Sequence, residues 1–187
     1  MKRYLFASFA ACGLLCAFSS SVQAKNVYVP YLGIDYNYST ANLKYLRPNL
    51  SSASFVIGSD YNRFFSTEVF YQYSDKDGKN YSNGSSVQTS FQAGGLDLYG
   101  YLPLLCGRDL ALLGTAGVGI YDFKKSYSNP FIKSGHDQGY GYRAGAGIFY
   151  SINEDVALRA VARYIKLDQI RDIDHMVEYS AGIRYTF

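Results

Sequence analysis

The chain has 187 residues, with 18 Lys and Arg against 15 Asp and Glu, three Cys, no Trp, and as many as 20 Tyr and 12 Phe. A charge balance this close to neutral gives no reason to expect a nucleic-acid partner, and beyond residue 24 no apolar run reaches the roughly eighteen residues of a transmembrane helix. Cys106 stands alone after that point, so no intramolecular disulfide can form and the fold must rest on its hydrogen-bond ladder.

The N-terminus reads as a secretory signal. Lys2 and Arg3 precede an apolar run over 4–18, and a small-residue stretch ends Val22-Gln23-Ala24. Cleavage after Ala24 leaves one domain over 25–187, in which sixteen basic residues face fifteen acidic ones. A membrane anchor fits less well, because Ser19-Ser20-Ser21 cuts the run short of the about twenty residues needed to span hydrocarbon.

Strand patterns follow in order. Tyr28, Leu32, Ile34, Tyr36 and Tyr38 alternate with Tyr31, Gly33, Asp35 and Asn37 in a first strand over 26–38, and a polar connector is expected over 39–52. Phe55, Ile57, Ser59 and Tyr61 mark a second strand. After a brief turn at 62–65, Val69, Tyr71 and Tyr73 oppose Glu68, Phe70 and Gln72 in a third. A long hydrophilic connector covers 75–86. The fourth strand, 87–102, points Leu96, Leu98, Gly100 and Leu102 one way and Asp97, Tyr99 and Tyr101 the other, and stops at Pro103.

A compact link at 104–108 leads to a fifth strand over 110–121, where Leu112, Ala116, Val118 and Ile120 oppose Thr115, Gly117, Gly119 and Tyr121. Another long polar stretch is expected over 123–138. Residues 139–150 then set Ala144, Ala146, Ile148 and Tyr150 against Arg143, Gly145, Gly147 and Phe149, and a tight turn occupies 151–155. In the seventh strand, 156–167, Leu158, Ala160, Ala162 and Tyr164 oppose Arg159, Val161 and Arg163. A charged connector over 168–174 precedes the closing strand, where Val177, Tyr179, Ala181, Ile183, Tyr185 and Phe187 share one face and Glu178, Ser180, Gly182, Arg184 and Thr186 the other.

Eight strands with alternating long and short links predict an all-β, eight-stranded antiparallel up-and-down transmembrane β-barrel. A soluble barrel would turn its apolar side chains inward. Here the charges embedded in strands (Asp35, Glu68, Asp97, Arg143, Arg159, Arg163 and Arg184) lie opposite faces of Tyr, Leu, Ile, Val and Ala, so a lipid-facing exterior fits better. Aromatics at strand ends are expected to form the interfacial girdles.

The chain resembles the small outer-membrane β-barrel family that includes OmpA-type transmembrane domains, OmpX and opacity proteins. The resemblance is carried by Gly33-Ile34-Asp35-Tyr36, Thr67-Glu68-Val69, Leu98-Tyr99-Gly100-Tyr101-Leu102-Pro103, Gly117-Val118-Gly119, Ala157-Leu158-Arg159 and Gly182-Ile183-Arg184-Tyr185-Thr186-Phe187, in that order across the domain. It implies a bacterial outer-membrane location, periplasmic termini and short turns, surface-exposed long loops, and contact with outer-membrane lipids and lipopolysaccharide. It also implies that Tyr185 and the terminal Phe187 form the signal read by the barrel-assembly machinery. In such relatives a lumen ion-pair network plugs or gates the barrel, and the resemblance implies that Glu68 and Arg159 lie at comparable positions.

The candidate lumen network therefore comprises Glu68, Asp97, Arg143, Arg159, Arg163 and Arg184, with structural filling preferred over a narrow pore because eight strands enclose little more than their own side chains. Buried charges must be paired, since an isolated one is very costly. A lipid-modifying enzyme is a weaker reading. The only histidines are His136 and His175, Ser134-Gly135-His136-Asp137 reads as a solvated loop, and no His-x-Ser motif of lipid A deacylation occurs. No cofactor or metal is expected: Asp75-Lys76-Asp77-Gly78-Lys79-Asn80 lacks the downstream Glu of a calcium loop. Tyr45, Tyr81, Tyr127 and Phe131 interrupt polar connectors and are the candidates for contact with a host surface ligand, an adhesin role.

Overall fold

The computed structural model describes residues 28–43, 49–75, 77–80, 86–104, 109–127, 135–170 and 173–187. The expected signal segment, 1–24, lies outside them. Nine strands follow in chain order: β1 Val29–Leu43, β2 Asn49–Asn62, β3 Phe65–Ser74, β4 Asp77–Asn80, β5 Ser86–Pro103, β6 Leu110–Tyr127, β7 Gly135–Ser151, β8 Val156–Asp168 and β9 Ile173–Thr186. Each pairs antiparallel with its neighbours, β9 returns to β1, and β3 pairs with β5 to close the sheet. The short β4 carries the line of β3 onward beside β5, so the barrel has eight staves.

Closure requires the strands to tilt. A row of paired residues starting at Tyr31 runs through Gly58, Glu68, Asp97, Gly117, Arg143, Ile165 and Met176 and returns to β1 at Ala41. The row comes back ten residues higher than it began, and that stagger brings side chains distant in the chain to one level of the interior.

The links at one end are tight. Asn62 Oδ1 accepts the amides of Phe64 and Phe65 at 2.7 and 3.0 Å, and Asn153 Oδ1 accepts those of Asp155 and Val156 at 3.0 and 2.6 Å. Both are side-chain turns of the Asx kind, which let the chain reverse within a few residues. The two ends of the barrel sheet meet on this same rim, where the Phe187 amide donates to the Pro30 carbonyl at 3.1 Å.

Several boundaries differ from the sequence reading, all toward the long links. There the inward face is polar or aromatic and the contrast between the two faces is weak. Residues 39–43 extend β1 and 49–52 begin β2, with Ser39 and Ser52 buried inside. Within the expected connector at 75–86, Asp77–Asn80 form β4. The stretch 123–138 is mostly strand as well: β6 runs to Tyr127, β7 starts at Gly135, and Phe123 is fully buried. Likewise β9 starts at Ile173, four residues before the expected closing strand, with Ile173 and Met176 in the interior.

The outside is apolar. Ile34, Leu98, Val118, Ile148 and Ile183 are about half exposed across its middle, among Ala116, Ala144, Ala146, Ala160 and Ala162. Tyr36, Tyr71, Tyr142, Tyr164 and Tyr179 stand toward the long-link end, and Tyr61, Phe64, Phe65, Tyr150, Tyr185 and Phe187 toward the tight-turn end. These are the two aromatic girdles of a membrane-spanning barrel. Ala146→Arg, in the middle of the lipid-facing band, is expected to lower folding free energy in phospholipid vesicles by about 2–4 kcal/mol, and Tyr185→Arg at the rim by under about 1 kcal/mol. Urea titration followed by heat-modifiable gel migration measures both, and equal losses would contradict this placement of the bilayer.

Candidate functional site

The interior is layered. Toward the long links it is apolar: Leu50, Phe91, Tyr121, Phe123, Ile165, Ile173 and Met176 are fully buried, with the Phe91 and Phe123 rings stacked at 5.3 Å. Toward the tight turns a second apolar cluster holds Ala111, Leu113, Phe149, Ala157 and Val161. Charge occupies the level between them. Strand alternation places every one of these side chains inward, because polar groups in a membrane barrel can be sheltered only in the lumen.

Arg159 is the most heavily engaged group. Its Nε and Nη2 donate to Asp35 Oδ1 and Oδ2 at 2.8 and 2.5 Å, while Nη1 and Nη2 donate to Glu68 Oε2 and Oε1 at 2.6 and 3.0 Å. The planar guanidinium fork suits two bidentate carboxylates at once. Tyr31 and Tyr99 each donate to Glu68 at 3.2 Å, completing its acceptor sites.

Tyr99 joins this triad to a second group. Arg163 Nη2 donates to the Tyr99 hydroxyl at 2.7 Å, and its Nη1 reaches Glu178 Oε1 at 3.2 Å and Ser180 at 2.8 Å. Arg143 Nη2 shares Glu178 Oε1 at 3.3 Å and its Nε lies 3.3 Å from Asp97 Oδ1, while Gln72 and Ser39 donate to Glu178 Oε2 at 2.7 and 3.3 Å. The Arg143 guanidinium also sits over the Phe70 ring, 4.0 Å from its centroid. Nearer the tight turns, Arg184 pairs with Asp60 at 2.5 and 3.2 Å and lies 4.0 Å over the Tyr31 ring.

Glycine makes these spans geometrically available. Asp35 and Arg159 sit on β1 and β8, either side of Gly182 on β9; Asp97 and Arg143 sit on β5 and β7, either side of Gly117 on β6. A Cβ at Gly182 or Gly117 would collide with the Asp35 or Asp97 carboxylate itself. Each ion pair therefore crosses an intervening strand at a point where that strand presents no side chain.

All six sequence-derived lumen residues lie in this interior, together with Asp35. Glu178 and Asp60 were not among the candidates although they complete the pairing. Both follow from the same alternation, since Glu178 shares the face of Arg184 and Asp60 that of Gly58. Of the loop candidates, Tyr45, Tyr81 and Phe131 fall outside the described residues; Tyr127 ends β6 at the long-link rim, and its side chain is outside the described set. His136 Nδ1 lies 3.1 Å from Asp122 Oδ1, and His175 stacks on Tyr164 at 5.3 Å, so the two histidines stand on separate strands with separate partners. Ser134 falls outside the described residues. Among the described residues no three His, Cys, Asp or Glu side chains are placed to hold a metal ion. Tyr185 and Phe187 are exposed at the closing rim, their rings edge to face at 5.2 Å.

Residues 9–187 match the family described as outer membrane protein beta-barrel domain. Similar folds include Neisserial surface protein A (NspA), 17% identical with a TM-score of 0.69, covering 84% of this chain and 97% of that one. Ail, the attachment invasion locus protein of Yersinia pestis, in complex with the heparin analogue sucrose octasulfate, is 15% identical with a TM-score of 0.61, covering 86% and 99%. The N-terminal β-barrel domain of Pseudomonas aeruginosa OprF is 14% identical with a TM-score of 0.55, covering 87% and 100%. No curated protein matches the sequence.

Removing Arg159 leaves Asp35 and Glu68 buried without their cation, so Arg159→Ala is expected to cost about 3–5 kcal/mol. It should lower the thermal unfolding temperature in detergent, followed by far-ultraviolet circular dichroism; an unchanged value would refute the network's structural weight. Gly182→Val should lower it as well, by pushing the Asp35 carboxylate off Arg159.

Proposed function

Because the chain belongs to the outer membrane protein beta-barrel domain family, which places it in the bacterial outer membrane, we propose that it is a non-catalytic surface protein. In this reading a sealed barrel holds its long extracellular links out to bind a host cell or matrix ligand. The observation that carries the reading is the filled interior. The paired charges around Arg159 and Glu178 and the apolar layer above them occupy the lumen, so specificity is left to what projects from the barrel. Eight strands enclose just enough space for such filling. The likeness to Ail, an attachment invasion locus protein seen in complex with a heparin analogue, supports the direction of this proposal.

Tyr45, Tyr81, Tyr127 and Phe131 are the proposed contact residues, aromatic anchors of the kind that dominate binding energy at interfaces. Deleting 128–134 removes the link between β6 and β7 while sparing both strands. Cells expressing this variant are expected to lose adhesion to host cells or immobilised matrix while the barrel keeps its heat-modifiable migration. Undiminished adhesion would favour a purely structural role. Planar-bilayer recordings should show no steady conductance from the intact barrel, and a stable single-channel current would favour the narrow-pore reading.

We further propose that Tyr185 and Phe187 form the address read by the assembly machinery. Phe187→Ala is expected to reduce outer-membrane insertion in cells while the refolded protein keeps its thermal stability. A parallel loss in both would make the residue structural instead.

A further inference from the structure

A recess lies on the outer wall near the tight-turn rim, among the described residues. Its floor is Gly100 on β5 paired with Gly114 on β6, and a Cβ at either would meet nothing within 4 Å. Phe64 and Phe65 stand on one side, where Phe65 pairs with Gly100, and Leu102 and Leu112 bound it toward the rim. The recess encloses about 420 Å³. Phe65 and Leu102, its tallest walls, are 61% and 62% exposed, so the hollow opens outward to the bilayer.

A cation stands beside it. Arg63, in the turn between β2 and β3, holds its guanidinium 4.7 Å over the Phe64 ring, and no carboxylate pairs with it among the described residues. Cation–π stacking ties the side chain to Phe64, which lines the recess. In this family the tight turns face the periplasm, so the recess lies in the inner leaflet at the boundary between headgroups and hydrocarbon. Arginine presents a forked donor set suited to phosphate oxygens.

We propose that this recess is a binding site for one glycerophospholipid of the periplasmic leaflet, with an acyl chain laid on Gly100 and Gly114 and the phosphate held by Arg63. The inference is independent of any host ligand. A second copy of the chain is a poorer occupant. Eight residues line the recess, far short of the roughly 1,000 Å² a stable protein interface needs, and a hollow accepts a chain more readily than another convex barrel wall.

The test is native mass spectrometry of the whole barrel in mild detergent, titrated with dioleoylphosphatidylglycerol, dioleoylphosphatidylethanolamine and uncharged dioleoylglycerol. The expected result is one retained molecule of either phospholipid, about fivefold weaker retention in R63Q, and weaker, R63Q-insensitive retention of dioleoylglycerol. The double variant G100L/G114L, which fills the floor, should abolish retention while heat-modifiable migration persists; if it does not fold, R63Q alone decides the point. Equal phospholipid retention by wild type and variants, a dimer in place of the bound lipid, or an R63Q loss equally large for dioleoylglycerol would overturn the proposal.

Discussion

Four arginines in a narrow lumen cannot stand without carboxylates, and the rest of the interior is arranged around supplying them. In a low-dielectric interior an unpaired ion is among the costliest groups a fold can carry. Asp35, Glu68, Asp97 and Glu178 meet Arg143, Arg159 and Arg163 at one level, with Arg184 and Asp60 below. Barrel stagger sets that level, since pairing rows climb ten residues per circuit and bring β1, β3, β8 and β9 side chains together. The glycines are part of the same device. Gly117 and Gly182 clear the path along which a charge on one strand reaches its partner two strands away.

Sorting the interior into charged and apolar layers has a consequence for function. The charged level pairs arginines with carboxylates across the lumen, and the Phe91, Tyr121 and Phe123 layer lies on its long-link side. In the function proposed above, the chemistry open to a partner lies at the rims and on the outer wall, among the exposed tyrosines and the glycine-floored recess.

Much of this was legible in the residues. Alternation assigned the inward faces of β5, β6, β7 and β8 correctly, including Asp97, Arg143, Arg159 and Arg163, because a strand's side chains must take opposite faces. Strand ends were less legible. Ser39, Ser52 and Phe123 sit on strands at the long-link side, where the inward face is hydroxyl-rich or aromatic and the outward face turns polar above the membrane, so the two-residue contrast fades. The split between β3 and β4 was likewise hidden inside a run of Asp, Lys, Gly and Asn.

The sequence by itself determined the eight staves and the two-faced strands, and the clustering of charge on one face favoured lipid on the other, since lipid and water impose opposite demands on neighbouring residues. It also identified most of the charged groups. Only the tertiary structure decided which carboxylate each arginine takes, that Glu178 and Asp60 complete the set, and that Gly100 and Gly114 meet to form a recess. Those outcomes depend on register between strands as far apart in the chain as β1 and β9. Register is set by closing the whole sheet, a constraint no single strand contains.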